Sequence, residues 1–279
     1  MTTLSLVGYT YRGYEMAYAL GQARAFGYQG IELRDFADID LSCADGLEHA
    51  LDRAQRACSE LGLRIVAAFF SPLHVRRGAV MAENAAEFSR ALASLAAHQV
   101  PILHTRVSMA GGHGGELVSA DALEEDYAAA QSALNGLAVE AASCGVQIAV
   151  ETHMGTIHDT VDAQLRLLRG VTSPAVGACL DFANALIQNR QEDVYAAVAA
   201  CRERLCYVHL KNVRLLPAGY DWNVPLRYGE INYARVLRAL RDNGYGGPLA
   251  VEYCGTGDPD VFAEEDARYL SDLVRRVGQ

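Results

Sequence analysis

Long apolar runs and lysine are both scarce in this chain. No run of apolar residues approaches the ~20 that are needed to span a bilayer. The first residues, MTTLSLVGYT, lack the basic start and the extended apolar stretch of a signal peptide. These absences predict a cytoplasmic protein without a membrane partner. Lys211 is the single lysine among the 24 basic residues.

Positive charge and paired cysteines are also limited. The formal net charge of −10 argues against a nucleic-acid partner, because proteins that bind a duplex normally present a basic surface. The seven cysteines are odd in number and include no C-x-x-C pair. Four lie inside apolar stretches: Cys58, Cys144, Cys179 and Cys206. We therefore expect reduced, buried thiols.

Apolar β-like segments alternate with amphipathic helical stretches throughout the 279 residues. The predicted strands are 4–9, 30–33, 64–70, 102–107, 147–151, 176–181, 206–211 and 249–253. The predicted helices lie near 15–26, 46–62, 80–98, 121–144, 160–170, 191–204, 232–243 and 259–277. Eight β-then-α units with continuous apolar strands favour a single α/β domain over residues 1–279, a (β/α)8 TIM barrel. The competing fold is an open doubly wound sheet, but no G-x-G-x-x-G follows the first strand.

Four polar residues close the apolar runs QIAVE, VGACLD, CYVH and PLAVE of the last four predicted strands: Glu151, Asp181, His209 and Glu252. Neighbouring strands of a barrel lie about 4.8 Å apart, so these four ends can converge on one ion. Three carboxylates and one imidazole suit a divalent metal, with Mn²⁺ favoured and Mg²⁺, Co²⁺ or Zn²⁺ as alternatives. The alternative is four unrelated polar strand ends that form structural hydrogen bonds.

Such a site predicts proton chemistry next to a carbonyl. An ion that binds a carbonyl and its neighbouring hydroxyl acidifies the intervening C–H bond. Glu151 and Glu252 are the candidate pair that removes and returns the proton, while Asp181 and His209 hold the ion. The expected substrate is therefore a small polyhydroxy carbonyl compound.

Two further residues are candidates for catalysis. Lys211 lies two residues after His209, so in a strand both side chains point to the same side. His153 has the same relation to Glu151 and is either a general base or substrate donor, or a loop histidine bonded to a backbone carbonyl.

Several polar residues near strand ends are candidates for substrate binding. Asn184 either orients a substrate hydroxyl or caps the following helix. Arg106 and Arg214 follow the fourth and seventh strands, and each either holds a phosphate or carboxylate or is a solvated loop arginine. Three other histidines are each too weak a signal by itself to predict a metal ligand: His104, His113 and His158.

Several segments resemble the sugar phosphate isomerase/epimerase family, which has the xylose-isomerase-like TIM barrel. They are AFGYQGIELR, AVETHMGTIHDT, ACLDFAN, YVHLKN and YGEINYARVLRALRDNGYGGPLAVEY. The resemblance implies that Glu151, Asp181, His209 and Glu252 bind the metal, that the two glutamates are the catalytic pair, and that the protein forms a homo-oligomer. It implies a metal-dependent isomerase or epimerase of a ketose, sugar phosphate or sugar acid.

Two departures qualify that expectation. Ketohexose 3-epimerases of the family usually carry a histidine where this chain has Asn184, and a further glutamate soon after the first metal glutamate. The segment ETHMGTIHDT is also similar to that of 3-dehydroshikimate dehydratases, in which the histidine matching His153 is a base. A dehydratase of the 3-dehydroshikimate or inosose type is therefore the alternative function.

Two more distant functions fit the sequence less well. Endonuclease IV is a relative, but it needs three metals and many more histidine ligands. A non-catalytic barrel that binds a ligand or a partner subunit would keep the fold while losing the metal.

Overall fold

Eight parallel strands close into a barrel in the computed structural model, which describes residues 3–111 and 115–277. Each strand pairs with its neighbours along the chain, and the last pairs with the first. The strands are β1 Leu4–Val7, β2 Gly30–Leu33, β3 Arg64–Phe69, β4 Ile102–Thr105, β5 Gln147–Glu151, β6 Val176–Asp181, β7 Leu205–Leu210 and β8 Leu249–Val251. The closed barrel confirms the predicted fold and excludes the open doubly wound sheet.

Helices cover the outside of the barrel. Those in the described residues are α1 Met16–Phe26, α2 Ala44–Leu61, α3 Ala85–Ala97, α4 Glu124–Cys144, α5 Val161–Arg169, α6 Phe182–Gln188, α7 Val194–Ala200, α8 Tyr233–Asp242 and α9 Pro259–Val277. Each predicted helical stretch contains one of them. The short α6 was not predicted, because it begins directly at the end of β6, where the Asp181 side chain caps it.

Several strands end earlier than the apolar pattern predicts. The run 4–9 ends as a strand at Val7, because the chain turns into a 3-10 helix over Gly8–Tyr11. The run 249–253 ends as a strand at Val251, so Glu252 follows β8 directly. After β4, the chain forms a second short strand, Val107–Met109, which pairs with Leu73–Val75 outside the barrel.

An apolar layer fills the barrel interior below the predicted ligands. Ala149, Cys179, Tyr207 and Ala250 each precede one of the four predicted ligands by two residues and belong to one buried cluster. Because alternate residues of a strand share a face, the polar side chains form the next layer toward the C-terminal end. None of the helices in the described part of the chain is long and apolar enough to cross a membrane.

A glycine after β1 allows close approach of the segment after β2. A Cβ atom built on Gly8 would lie 2.3 Å from the carbonyl oxygen of Arg34 and 2.8 Å from the Phe36 ring. Backbone atoms cannot yield to such an overlap. Only glycine, which has a hydrogen in place of Cβ, therefore allows the segment after β2 to pass this close to residue 8.

We expect Gly8→Ala to destabilise the protein by about 1–3 kcal/mol, as overpacking at a rigid contact does. Gly21→Ala is the matched control, since Gly21 lies within α1 and an added Cβ would meet nothing within 4 Å. That control should stabilise by about 0.5–1 kcal/mol. Chemical denaturation of both variants gives the two values; equal effects would contradict the assigned contact.

Candidate active site

The four predicted ligands lie together at the C-terminal end of the barrel. Glu151, Asp181, His209 and Glu252 are buried, and one ligand atom from each lies within 4.8 Å of the others. The parallel register places Asp181 beside His209 on the neighbouring strand. His209 Nδ1 is 3.5 Å from Glu151 Oε1 and 3.7 Å from Glu252 Oε2. The convergence expected from the sequence is present.

These residues fit a divalent metal ion. Glu151 Oε2 and His209 Nδ1 are buried and have no hydrogen-bond partner among the described residues. Buried polar atoms are normally satisfied, so an unpaired carboxylate oxygen and an unpaired ring nitrogen at one point indicate a ligand that both can bind. Three carboxylates with one imidazole form a donor set that holds hard or borderline divalent cations.

Lys211 extends into the same cluster. Its Nζ lies 2.7 Å from Asp181 Oδ2 and 2.9 Å from Glu252 Oε2, and the Trp222 ring lies over it at 4.9 Å. Burial would lower the pKa of Lys211, but Asp181 and Glu252 raise it well above its usual value. In the same way, burial would raise the pKa of Glu252, but Lys211 and Arg34 lower it to about 2. Both groups are therefore charged at neutral pH.

A buried carboxylate that was not singled out from the sequence supports the histidines. Glu32, in β2, accepts hydrogen bonds from His104 Nδ1, His209 Nε2 and the Tyr207 hydroxyl, each at 2.8 Å. This bond to His209 Nε2 leaves Nδ1 directed at the carboxylates. A carboxylate behind a histidine ligand fixes the ring orientation and raises ligand basicity. The signal for Glu32 was a charged residue within the buried strand GIEL.

Arg34 is the other residue that sequence reasoning missed. It directly follows β2, and its Nη1 lies 3.7 Å from both Glu151 Oε2 and Glu252 Oε1. Its position obeys the same rule that identified the four ligands, namely a polar side chain at a strand end. The unassigned His104 also belongs to the site, with Nε2 3.3 Å from Glu151 Oε2.

His153 and Arg106 meet beside the cluster. His153 Nδ1 donates to the Met154 carbonyl at 2.6 Å, and its Nε2 lies 3.4 Å from Arg106 Nη1. The carbonyl only accepts, so Nδ1 carries the proton of the neutral ring, and the unprotonated Nε2 accepts from Arg106 Nη1. Burial lowers the pKa of His153, and the positive charges of Arg106 and Lys211 lower it further. His153 is thus bonded to a backbone carbonyl, as one of the two alternatives predicted, and its unprotonated nitrogen faces Arg106.

Asn184 does not cap a helix. Asp181 caps α6, and Asn184 lies inside it, where Nδ2 donates to Glu151 Oε1 and to the Thr152 carbonyl, both at 3.3 Å. The prediction of a cap was therefore wrong. Instead, the Asn184 side-chain amide, inside α6, donates a hydrogen bond that positions Glu151.

Two other polar residues lie apart from the cluster. Among the described contacts, the half-exposed Arg214 pairs only with Asp221, at 3.7 Å across a hairpin, so the structure does not bring it to the site. His158 accepts from the Val107 amide, and burial lowers its pKa to about 4, which leaves a neutral structural histidine. His113 lies outside the described residues.

A sequence profile described as the xylose isomerase-like TIM barrel matches residues 20–273. The chain belongs to this family. No curated protein sequence gives a significant match.

Solved structures share the fold over nearly all of the chain. The probable 3-DHS dehydratase AsbF from Bacillus anthracis is 18% identical with a TM-score of 0.72, over 97% of this chain and 99% of that one. A xylose isomerase-like TIM barrel protein from Mycobacterium smegmatis in complex with magnesium is 18% identical with a TM-score of 0.74, over 99% and 98%. D-allulose 3-epimerase from Methylomonas sp., in complex with D-allulose, is 18% identical with a TM-score of 0.74, over 98% and 97%. Such identities show a common fold.

We expect Glu32→Gln to weaken Mn²⁺ binding by roughly 10- to 100-fold, as losses behind a metal-binding histidine do. The neutral amide of the variant presents an NH₂ group to hydrogen-bond donors, His104, His209 and Tyr207, that meet carboxylate oxygens in the wild-type protein. Titration calorimetry of the metal-free protein measures the affinity, and circular dichroism checks the fold. Glu60→Gln, on the exposed side of α2, is the matched control. An unchanged affinity in Glu32→Gln would remove the supporting role.

Proposed function

We propose that the protein is a divalent-metal-dependent isomerase or epimerase of a small ketose, sugar phosphate or sugar acid. The observation that carries the proposal is the convergence of two buried carboxylates within a set of four residues that could hold a metal ion. Glu151 and Glu252 each lie 3.7 Å from one nitrogen of Arg34, at the barrel end where active sites of this fold are built.

Glu151, Asp181, His209 and Glu252 would hold the ion, with Mn²⁺ favoured and Mg²⁺, Co²⁺ or Zn²⁺ as alternatives. A divalent ion there supplies Lewis acidity to a bound carbonyl group. The protein resembles a structure that contains magnesium, which supports a divalent ion without naming it.

The two glutamates would carry out the proton transfer. Burial would raise the pKa of Glu151, but His104, His209 and Arg34 lower it well below its usual value, and that of Glu252 is also lowered. An ionised carboxylate accepts a proton from the carbon beside the carbonyl. In an isomerisation, the carboxylate that took the proton returns it to the neighbouring carbon; in an epimerisation, the other carboxylate takes a proton from solvent and delivers it to the opposite side of the same carbon. Structural similarity to D-allulose 3-epimerase supports this reaction class.

The proposal predicts exchange of a carbon-bound proton with solvent. Protein loaded with Mn²⁺ and incubated in D₂O should incorporate deuterium next to the carbonyl of a ketose substrate, detected by NMR over a panel of ketoses and keto acids. Glu252→Gln should slow the exchange by about 10²- to 10⁴-fold, the usual contribution of a general base.

Glu48→Gln, on the exposed side of α2, is the matched control and should exchange at the wild-type rate. Absence of exchange in the metal-loaded protein over the whole panel would contradict the proposal. Absence of a near-stoichiometric divalent ion after purification would favour a non-catalytic binding barrel.

A metal-dependent dehydratase is the second candidate. It is favoured by His153, whose Nε2 is basic and adjacent to Arg106, and by the Lys211 ammonium 2.9 Å from Glu252. Elimination requires a base for the carbon-bound proton and an acid for the leaving hydroxyl. His153 and Lys211 supply those two functions. The similarity to the probable 3-DHS dehydratase AsbF supports this alternative.

The dehydratase predicts a conjugated product with ultraviolet absorbance. Addition of 3-dehydroshikimate or inosose to the Mn²⁺-loaded protein should raise the absorbance, and His153→Ala should lower that rate by about 10²-fold or more. His74→Ala, an exposed histidine in the short outer strand, serves as the control. A flat trace with both compounds excludes the dehydratase and leaves the isomerase.

A further inference from the structure

Arg34 is a buried cation with unused hydrogen-bonding capacity. The residue is only 6% exposed, and Nη1 is buried with no hydrogen-bond partner among the described residues. Its nearest acceptors, Glu151 Oε2 and Glu252 Oε1, are both 3.7 Å away, beyond normal hydrogen-bond length. These oxygens also belong to the proposed metal ligands. A guanidinium in this state lacks the bidentate oxygen partner that it normally has.

Several contacts hold the guanidinium in place. Nε donates to Asp35 Oδ2 at 3.1 Å, and the backbone of Asp35 has a φ of 55°. The guanidinium lies over the Phe69 ring at 4.5 Å and over the Tyr9 ring at 5.4 Å. Left-handed backbone at a non-glycine residue is concentrated at ligand-binding sites. Nε is therefore occupied, and Nη1 is directed at the two glutamates.

The charge of the surrounding cluster leaves room for a negative ligand. Four buried carboxylates contribute four negative charges: Glu32, Glu151, Asp181 and Glu252. Arg34 and Lys211 contribute two positive charges, so a divalent ion would make the group neutral. Arg106, beside His153, adds one further positive charge, and Asp35, paired with Arg34, adds one negative charge from a side chain that is 47% exposed. Because solvent screens that exposed carboxylate, the buried part of the group keeps a positive excess, which an anion balances and an uncharged sugar does not.

We propose that Arg34 binds a carboxylate group of the substrate, so that the substrate is a hydroxy-keto acid in preference to a neutral ketose. This rests on the proposed function, because it assigns the substrate class of the same site. A group hydrogen-bonded to Nη1 would lie within about 6–7 Å of either glutamate carboxylate, given a bond of about 2.8 Å. The carboxylate is therefore attached at or near the carbon next to the reacting carbonyl.

A carboxylate fits this position better than a phosphate does. The two coplanar oxygens of a carboxylate match two neighbouring nitrogens of one planar guanidinium group, and the buried Arg34 has Nη1 without a hydrogen-bond partner among the described residues. Phosphates in barrels of this kind bind mainly to backbone amides and helix N-termini at the loops after the last strands. The next cation, Lys211, is already paired with Asp181 and Glu252.

Three ligands that differ only at the first carbon test the proposal: D-fructose, 2-keto-D-gluconate and D-fructose 1-phosphate. Titration calorimetry with the Mn²⁺-loaded protein measures the affinity for each ligand. We expect 2-keto-D-gluconate to bind at least about 10-fold more tightly than the other two, as charge-assisted hydrogen bonds do. The tagatose series provides a second set with different stereochemistry. No preference for the keto acid in either series, including no binding of any ligand, would overturn the proposal, as would tightest binding of the phosphate.

Substitution of the arginine assigns the preference to its side chain. Arg34→Met should lower the preference for 2-keto-D-gluconate over D-fructose, measured as the ratio of the two affinities, by about 10- to 100-fold. Arg34→Lys keeps the charge without the planar fork and should give an intermediate loss. Arg268→Met, which removes a 74% exposed arginine on α9, is the matched control and should retain wild-type affinities. An unchanged acid preference in Arg34→Met would refute the assignment to Arg34.

The test of carboxylate binding by Arg34, which we call the anion site, can fail independently of the test of the proposed function. Isotope exchange tests the proposed reaction, whereas calorimetry tests the anion site. If the acid preference and its loss in Arg34→Met are observed but no ligand exchanges deuterium, the proposed reaction is wrong and the anion site stands. If exchange occurs with neutral ketoses that bind as tightly as their acids, the reaction stands and the anion site is wrong. Should Arg34→Met fail to fold by circular dichroism, the comparison of ligands on the wild-type protein still decides.

Discussion

The hydrogen bonds of the buried Glu32 carboxylate hold the site together. This side chain, from β2, receives bonds from the fourth and seventh strands through His104, His209 and Tyr207. A buried carboxylate is costly unless its oxygens are satisfied, and here each oxygen accepts at least one short hydrogen bond. The same bonds set which nitrogen of His209 faces the Glu151 and Glu252 carboxylates. The geometry of the four residues that could hold a metal thus depends on a residue outside that group.

Around this centre, buried charged side chains of opposite sign offset one another's cost of desolvation. Glu151 and Glu252 have Arg34 between them, and Lys211 bridges Asp181 and Glu252. Desolvation of so many ionised groups opposes stability, and replacement by apolar residues is often the more stable choice in proteins. The cluster is therefore best explained by chemistry. Its position above an apolar layer at the C-terminal end of the strands gives it both a low dielectric and access to the loops.

The long loop after β7 shapes the space above the cluster. Asn212 anchors its two ends, since Nδ2 donates to the carbonyls of Leu226 and Ile231. The loop carries Trp222 over the Lys211 ammonium. Residues of this kind decide what a barrel of the family accepts, because the strands supply the reactive groups and the loops supply the shape. Arg214 lies on this loop too, yet its hairpin directs it toward Asp221.

The sequence by itself determined the barrel and the four converging polar residues, because apolar periodicity and polar residues at strand ends are local signals, and closure of the sheet brings those ends together. Lys211 and His153 followed from their two-residue spacing to His209 and Glu151. Only the tertiary structure decided that Glu32 and Arg34 join them, because a charged residue within or just after β2 is a local signal that does not say which distant strands supply its partners. It also decided that Asn184 supports Glu151 from within a helix and that Arg214 lies apart, because loop and cap geometry depend on contacts between segments far apart in the chain.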